Sequence, residues 1–208
     1  MLVCGVDEAG RGSMIGPLVI AGISIKQTRL KALSQLGVRD SKKLTPPARE
    51  KLYKKITKMA DDYAVTKLSP KQIDAFVEKH QLNHLEATHM AKIIKKLEPS
   101  VSYVDACDVN APRFGSNLDA LAHTGTIKAY HHADSRFVIV SAASIIAKVT
   151  RDRAISRLDK QYSLGSGYPS DAKTVSFVRQ WFSKHGEVPG FVRKSWAPVR
   201  QLKAQLLA

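Results

Sequence analysis

The sequence predicts a mixed α/β fold: a β-sheet flanked by helices, followed by a helical C-terminal region. Three observations carry this. Short runs rich in Val and Ile, such as LVCGV at 2–6 and LVIAGISI at 18–25, have the length and composition of buried strands. Between such runs lie longer stretches whose apolar residues recur at helical spacing. Beyond residue 140 only helical spacing remains, and at 208 residues the chain is long enough for one substantial core, with room for a small added lobe. We place the α/β region at 1–160 and the helical extension at 161–208.

Residues 2–6 and 18–25 open the chain as two strands. A helix is expected after Thr45, which can cap, with Pro46 at the first helical position and Leu52, Ile56, Met59 and Ala60 as its apolar stripe. YAVTKL at 63–68 alternates as a strand does. Ser69-Pro70 starts a helix that turns Ile73, Phe76 and Val77 inward. Asn83 followed by Glu86 resembles a capping arrangement. The helix it opens carries Leu85, Met90, Ile93, Ile94 and Leu97 and stops before Pro99. VSYVD at 101–105 is a strand ending on a carboxylate. RFVIV at 136–140 reads as a further strand, with Ser141 capping the helix AASIIAKVTRDRAISRL. Asp171 starts a helix bearing Val175, Val178, Trp181 and Phe182, and an amphipathic stretch runs from about residue 197.

Charge bears on the partner. Thirty-three Lys and Arg against eighteen Asp and Glu leave +15, an excess that suits a polyanion and above all nucleic acid, although a solvated basic surface would have the same composition. No apolar run approaches the ~20 residues of a membrane span. The opening MLVCGVDEAG lacks the features of a secretory signal, so a cytoplasmic protein is expected. Cys4 and Cys107 are read as two reduced thiols, without the paired spacing of a zinc motif.

The segment GVDEAGRGSMIGP holds the first chemistry. Its glycines superficially suggest a dinucleotide-binding loop, but such a loop should open a helix, and LVIAGISI follows instead. Two negative charges at Asp7 and Glu8 would also repel a pyrophosphate. Adjacent carboxylates at the end of a buried strand are costly unless compensated, and Mg²⁺ or Mn²⁺ compensates them through oxygen ligands. A salt-bridged acidic turn fits this segment equally well. Successive strand residues alternate faces, so both acids can ligate only if the strand twists or breaks, which Gly10 and Gly12 allow. Asp105 follows the apolar run VSYV, Asp134 precedes the run at 136–140, and Asp108 is a weaker candidate suited to a loop or cap. Acids delivered from separate segments to a sheet edge suit two-metal hydrolysis of a phosphodiester. His80 and His84 are four residues apart, but the capping reading of Asn83 breaks the helix between them. His123, His131 and His132 are expected at the surface or facing phosphates.

DEAGRG at 7–12, DSKKL at 40–44, YVDACDV at 103–109, the Ala-Asp of HHAD at 133–134, SAASIIAKVTRD at 141–152, GSGYPSD at 165–171 and FVRKSW at 191–196 together resemble ribonuclease HII, in a form similar to its archaeal and eukaryotic catalytic-subunit branch. The resemblance spans nearly the whole chain. It implies a ribonuclease H-like mixed β-sheet flanked by helices with a helical C-terminal extension. It implies four acidic metal ligands and catalytic residues, Asp7, Glu8, Asp105 and Asp134, and two Mg²⁺ or Mn²⁺ ions when substrate is bound. It implies that Gly10-Arg11-Gly12 reads the ribose, that Tyr168 packs on the sugar after the ribonucleotide, and that Lys42 binds phosphate. Lys148, with Arg151 and Arg153, could line the duplex track; a solvated helix face is the competing reading. One departure is His132, where the family pattern has Lys before Ala133-Asp134.

The activity implied is cleavage of the RNA strand of RNA–DNA hybrids and of DNA duplexes on the 5′ side of embedded ribonucleotides, giving 3′-hydroxyl and 5′-phosphate ends, as in replication and repair. A monomer with no membrane partner is expected. Three rivals are a ribonuclease HIII-like enzyme, which carries an extra N-terminal domain, a DNA strand-transfer enzyme of the same fold, and a non-catalytic RNA-binding protein, for which acids at several strand ends have no explanation.

Overall fold

The central strand of the sheet is the first one in the chain. In a computed structural model describing residues 1–38 and 44–207, β1 (Leu2–Ala9) lies between β2 (Leu18–Lys26) and β4 (Val101–Asp105), with β3 (Asp62–Leu68) and β5 (Thr126–Tyr130) at the edges, in the order β3-β2-β1-β4-β5. β2 runs antiparallel to β1, whereas β4 is parallel to β1 and β5 parallel to β4. Eight of the nine residues of β2 are buried, which is why its sequence is nearly continuous Val, Ile and Ala rather than alternating.

A 3₁₀ turn at Gln27–Arg29 leads to α1 (Leu30–Gln35). The remaining helices are α2 (Pro46–Met59), α3 (Pro70–Val77), α4 (Leu82–Leu97), α5 (Ala111–Ala122), α6 (Ala133–Arg136), α7 (Val138–Tyr162), α8 (Ala172–His185) and α9 (Ala197–Leu207). Among the described residues no helix is long and apolar enough to cross a membrane. The chain divides into two compact units. One comprises Met1–Ala9, Val19–Thr66 and Asn83–Val149; the other comprises Gly10–Leu18, Lys67–Leu82 and Thr150–Ala208.

In the first unit the opening half of α7 packs on β1. Ile139 through Ala147 are all buried, and a Cβ on Gly5 would collide with the backbone of Ile139, so helix and strand approach as closely as only glycine permits. α4 packs on the sheet as well, with Ile93 and Leu97 against the position where a Gly22 side chain would stand. In the second unit Met14, Ile15, Ile155 and Leu164 form one core with Val178 and Phe182 of α8 and Val199 and Leu202 of α9.

Several expectations need correction. RFVIV at 136–140 is not a strand. Phe137 is a single extended residue between α6 and α7, stacked on Tyr103 with ring centroids 4.5 Å apart, and Val138 already begins α7. A buried helix is apolar all round, so its opening β-branched run cannot be told from a strand by periodicity. Ser141 therefore lies inside α7, where its hydroxyl donates to the Val38 carbonyl instead of capping. Thr45 precedes α2 but makes no side-chain cap, and Asn83 falls within the first turn of α4, its amide donating to Asp108 at 3.1 Å. Ser69 and Asp171 do cap α3 and α8, Ser69 through a full capping box with Gln72.

Candidate active site

The parallel register of β1 and β4 builds the site. Cα partners run from Val3 opposite Val101 to Val6 opposite Val104, so the next residue on each strand, Asp7 and Asp105, continues the same rung and face. Asp7 is 4% exposed. Burial, then the charge of Asp105, pushes its carboxyl up to about 7; Ser144, the Glu8 amide and the charge of Lys148 pull the other way without prevailing. The Glu8 N–H donates to Asp7 Oδ1 at 2.7 Å. Ser144 and Lys148 are one turn apart on α7, the helix that Gly5 admits against β1. Lys148, expected along a duplex track, thus has its charge within reach of Asp7.

Asp105 draws in the third acid. Its Oδ1 accepts from the Ala133 N–H at 2.9 Å, fixing the start of α6, and Asp134 is the next residue, 6% exposed. Glu8 is placed differently. The ladder with β2 stays regular through Ala9 opposite Val19, so no break occurs at Asp7-Glu8 and the pleat assigns the two acids to opposite faces. Among the described residues no group of three or more His, Cys, Asp or Glu side chains is gathered closely enough to hold a metal ion. The donor set nonetheless fits a hard divalent cation: carboxylate oxygens, with Asp7 driven toward its neutral form first by burial and then by the charge of Asp105. Asp108 is structural. It accepts from Asn83, the Asn110 N–H and Arg113, and these bonds, led by that of Asn110, hold its carboxyl below the usual range.

The second unit assembles the glycine loop. The Ser13 N–H donates to the Gly10 carbonyl at 3.2 Å, closing a turn with Arg11 and Gly12 at its tip. Gly10 has φ +84°, and a Cβ there would stand 2.9 Å from the Pro17 carbonyl oxygen; a Cβ on the exposed Gly12 would meet nothing within 4 Å. The Met14 and Ile15 N–H groups both donate to the Gly167 carbonyl, which brings the turn at 165–171 alongside. Tyr168 in that turn is half-buried, with the Arg151 guanidinium 4.2 Å from its ring centroid. Arg151 also donates to Ser13 Oγ and to the Ser166 carbonyl and is buried, so it fastens the two turns together and does not line a duplex track. Lys42 and most of DSKKL lie outside the described residues.

Two groups were not picked out from the sequence. Arg193 is fully buried and donates to the carbonyls of Gly10, Arg11 and Gly16 at 2.7, 2.8 and 3.2 Å. Asp74 accepts from the Lys194 and Ser195 N–H groups and from the Ser195 hydroxyl. An Arg inside the apolar-aromatic run FVRKSW was a signal for the first, since Arg is seldom buried without a job. Nothing local marks Asp74, whose partners are 120 and 121 residues away.

A five-stranded mixed sheet carrying paired acids at the ends of neighbouring parallel strands defines a nuclease of the ribonuclease H type. The family model of ribonuclease HII matches residues 4–199. The chain belongs to the ribonuclease HII family, whose members are endoribonucleases that cleave RNA in RNA–DNA hybrids and depend on metal ions. It is 56% identical over 204 residues to ribonuclease HII of Cenarchaeum symbiosum, an alignment covering 98% of this chain and 99% of that protein. The crystal structure of ribonuclease H2 from Pyrococcus horikoshii superposes with a TM-score of 0.93 at 44% identity, covering 100% of this chain and 99% of that one. A Bst ribonuclease HIII in complex with Mn²⁺ shares the fold at 21% identity and a TM-score of 0.83; the match covers 99% of this chain but 70% of that one.

Proposed function

We propose that the chain hydrolyses the phosphodiester on the 5′ side of a ribonucleotide, in RNA–DNA hybrids and at ribonucleotides embedded in DNA, leaving 3′-hydroxyl and 5′-phosphate ends. The observation that carries this reading is the placing of Asp7 and Asp105 on one rung of two parallel strands, with Asp134 fixed next to the amide that Asp105 binds. Asp7 and Asp105 would hold Mg²⁺ or Mn²⁺ most directly, and Asp134 and Glu8 would complete the ligand set of a two-ion site, Glu8 through the twist at the end of β1, since its ladder with β2 does not break. Bound there, the metal supplies an activated water and charge neutralisation at the leaving oxygen. The Mn²⁺ complex of the HIII relative supports an ion of this kind.

The chain's own groups do the rest. Gly10-Arg11-Gly12 meets the ribose, whose 2′-hydroxyl distinguishes RNA from DNA at the cut. Tyr168, held by Arg151, packs on the following sugar, and Lys42 and Lys148 attract phosphate. The region at 161–208 binds the duplex as a substrate-binding extension. The enzyme acts as a cytoplasmic monomer in replication and repair. The deciding experiment compares cleavage of a duplex bearing one ribonucleotide with that of a full hybrid, in Mg²⁺ and then Mn²⁺, by the wild type and Asp7→Asn. The variant loses cleavage of both and keeps hybrid binding; cleavage at the wild-type rate sinks the metal-site assignment.

A further inference from the structure

We infer that Arg193 is the positioning residue for ribose discrimination: it sets the peptide planes of the Gly10–Gly12 turn so that the Gly12 N–H is presented outward, and Asp74 holds Arg193 in place to do so. This rests on the reading that the turn meets the 2′-hydroxyl.

The geometry is local and specific. A loop with two glycines in three residues has a broad conformational range and would lose much entropy on meeting a ligand. One guanidinium removes that freedom. Its planar fork reaches the carbonyls of Gly10, Arg11 and Gly16, three acceptors that a lysine ammonium on its single stem cannot match in one plane. The Arg11 carbonyl belongs to the same peptide unit as the Gly12 N–H. Among the described residues there is no cis peptide bond, and in a trans unit C=O and N–H point in opposite directions. Anchoring the Arg11 oxygen on the buried Arg193 therefore turns the Gly12 N–H away from the interior. That N–H has no acceptor among the described residues, and the space beside the Gly12 Cα is open. A cation on the carbonyl also polarises the unit and strengthens its N–H as a donor.

Arg193 is itself located from behind. Its own N–H donates to the Met14 carbonyl at 2.9 Å, and the next two N–H groups, of Lys194 and Ser195, donate to the Asp74 carboxylate at 3.0 Å each. The Ser195 hydroxyl adds a 2.6 Å bond to the same carboxylate. Asp74 thus stiffens the backbone immediately after Arg193 without touching the loop.

The test measures binding, with Ca²⁺ replacing Mg²⁺, of a DNA duplex bearing one ribonucleotide and of the all-deoxy duplex of the same sequence. The readout is the ratio of the two affinities. Arg193→Lys retains charge and is expected to lower the ratio about tenfold, with little change for the all-deoxy duplex. Asp74→Asn, which keeps the site's volume and avoids the buried position, lowers the ratio in the same direction by a smaller factor and serves if Arg193→Lys does not fold. A wild-type ratio that Gly12→Ala abolishes but both other variants leave intact overturns the role of Arg193 while sparing the reading of the loop. Equal weakening on both duplexes, a purely structural effect, also overturns it. A wild-type ratio of one, unmoved by Gly12→Ala, overturns the reading of the loop and this inference with it.

Discussion

Gly10 and Gly12 stand at the start and the tip of one turn and are glycines for opposite reasons. Gly10 has φ +84° and no room for a Cβ beside the Pro17 carbonyl, whereas at Gly12 a Cβ would meet nothing of the protein within 4 Å. The first is required by the fold; the second leaves space that the fold does not use.

Alanine substitution should therefore separate stability from recognition. Gly12→Ala is expected to leave the thermal midpoint within about 2 °C of wild type, the change of a surface site of ~0.5 kcal/mol or less. The same variant should lose most cleavage at a single ribonucleotide. Gly10→Ala should cost about 1–3 kcal/mol in denaturant unfolding, from a strained φ and a tight contact. Equal loss of stability in both variants would contradict this division.

Asp7 should show a trade between chemistry and stability. Its carboxyl is raised to about 7, above the ~3.9 of an unfolded chain, so the folded state holds a proton that the unfolded state gives up. The sign follows: below about pH 4 both states are protonated and the shift has no effect, and destabilisation grows as pH rises toward about 7. In metal-free protein Asp7→Asn should raise stability near pH 8 by on the order of 2–4 kcal/mol, a gain that vanishes near pH 4. Cleavage should be lost at every pH. Denaturant melts of the two proteins across this range, with a chelator present, measure the effect.

The sequence made the strands of the site legible because their apolar runs end on acids: Asp105 closes VSYVD, and Asp7 follows LVCGV. What it concealed was the register that makes them neighbours, since pairing between residues about a hundred positions apart leaves no local mark. α5 was missed although Asn110 caps it and Phe114, Leu118 and Ala122 repeat at four-residue spacing. β5 was missed because TIKAY is a half-exposed edge strand with a weak pattern. Arg151 looked like a duplex contact by spacing alone. Helical position shows which residues share a face, not whether that face is covered.

Asp171 offers a test of the turn that carries Tyr168. Its carboxylate accepts from the Ser166 N–H at 2.6 Å and the Lys173 N–H at 2.9 Å, and the Ser166 bonds foremost pull its carboxyl down to about 2. A depressed carboxyl contributes stability that is present above the unfolded value of ~3.9 and is lost as pH falls toward about 2. Asp171→Ala removes the N-cap of α8 and should cost about 1 kcal/mol at neutral pH. The gap between variant and wild type should close between about pH 4 and pH 2. A gap constant across that window would mean that the cap acts without its charge.

Gly5 links packing to the site. A methyl group there would meet the Ile139 carbonyl, backbone atoms that cannot rotate away, so Gly5→Ala must push α7 off β1. Overpacking of this kind costs about 1–3 kcal/mol. The same helix carries Ser144 and Lys148 to Asp7, so displacement weakens two of the three influences that hold the Asp7 carboxyl down, leaving only the Glu8 amide. Gly5→Ala should therefore lower kcat well below the fraction folded at the assay temperature, and should shift the acid limb of the pH–rate profile upward. A variant that is destabilised yet keeps the wild-type rate and pH profile per folded molecule would show that α7 supports the sheet without tuning Asp7.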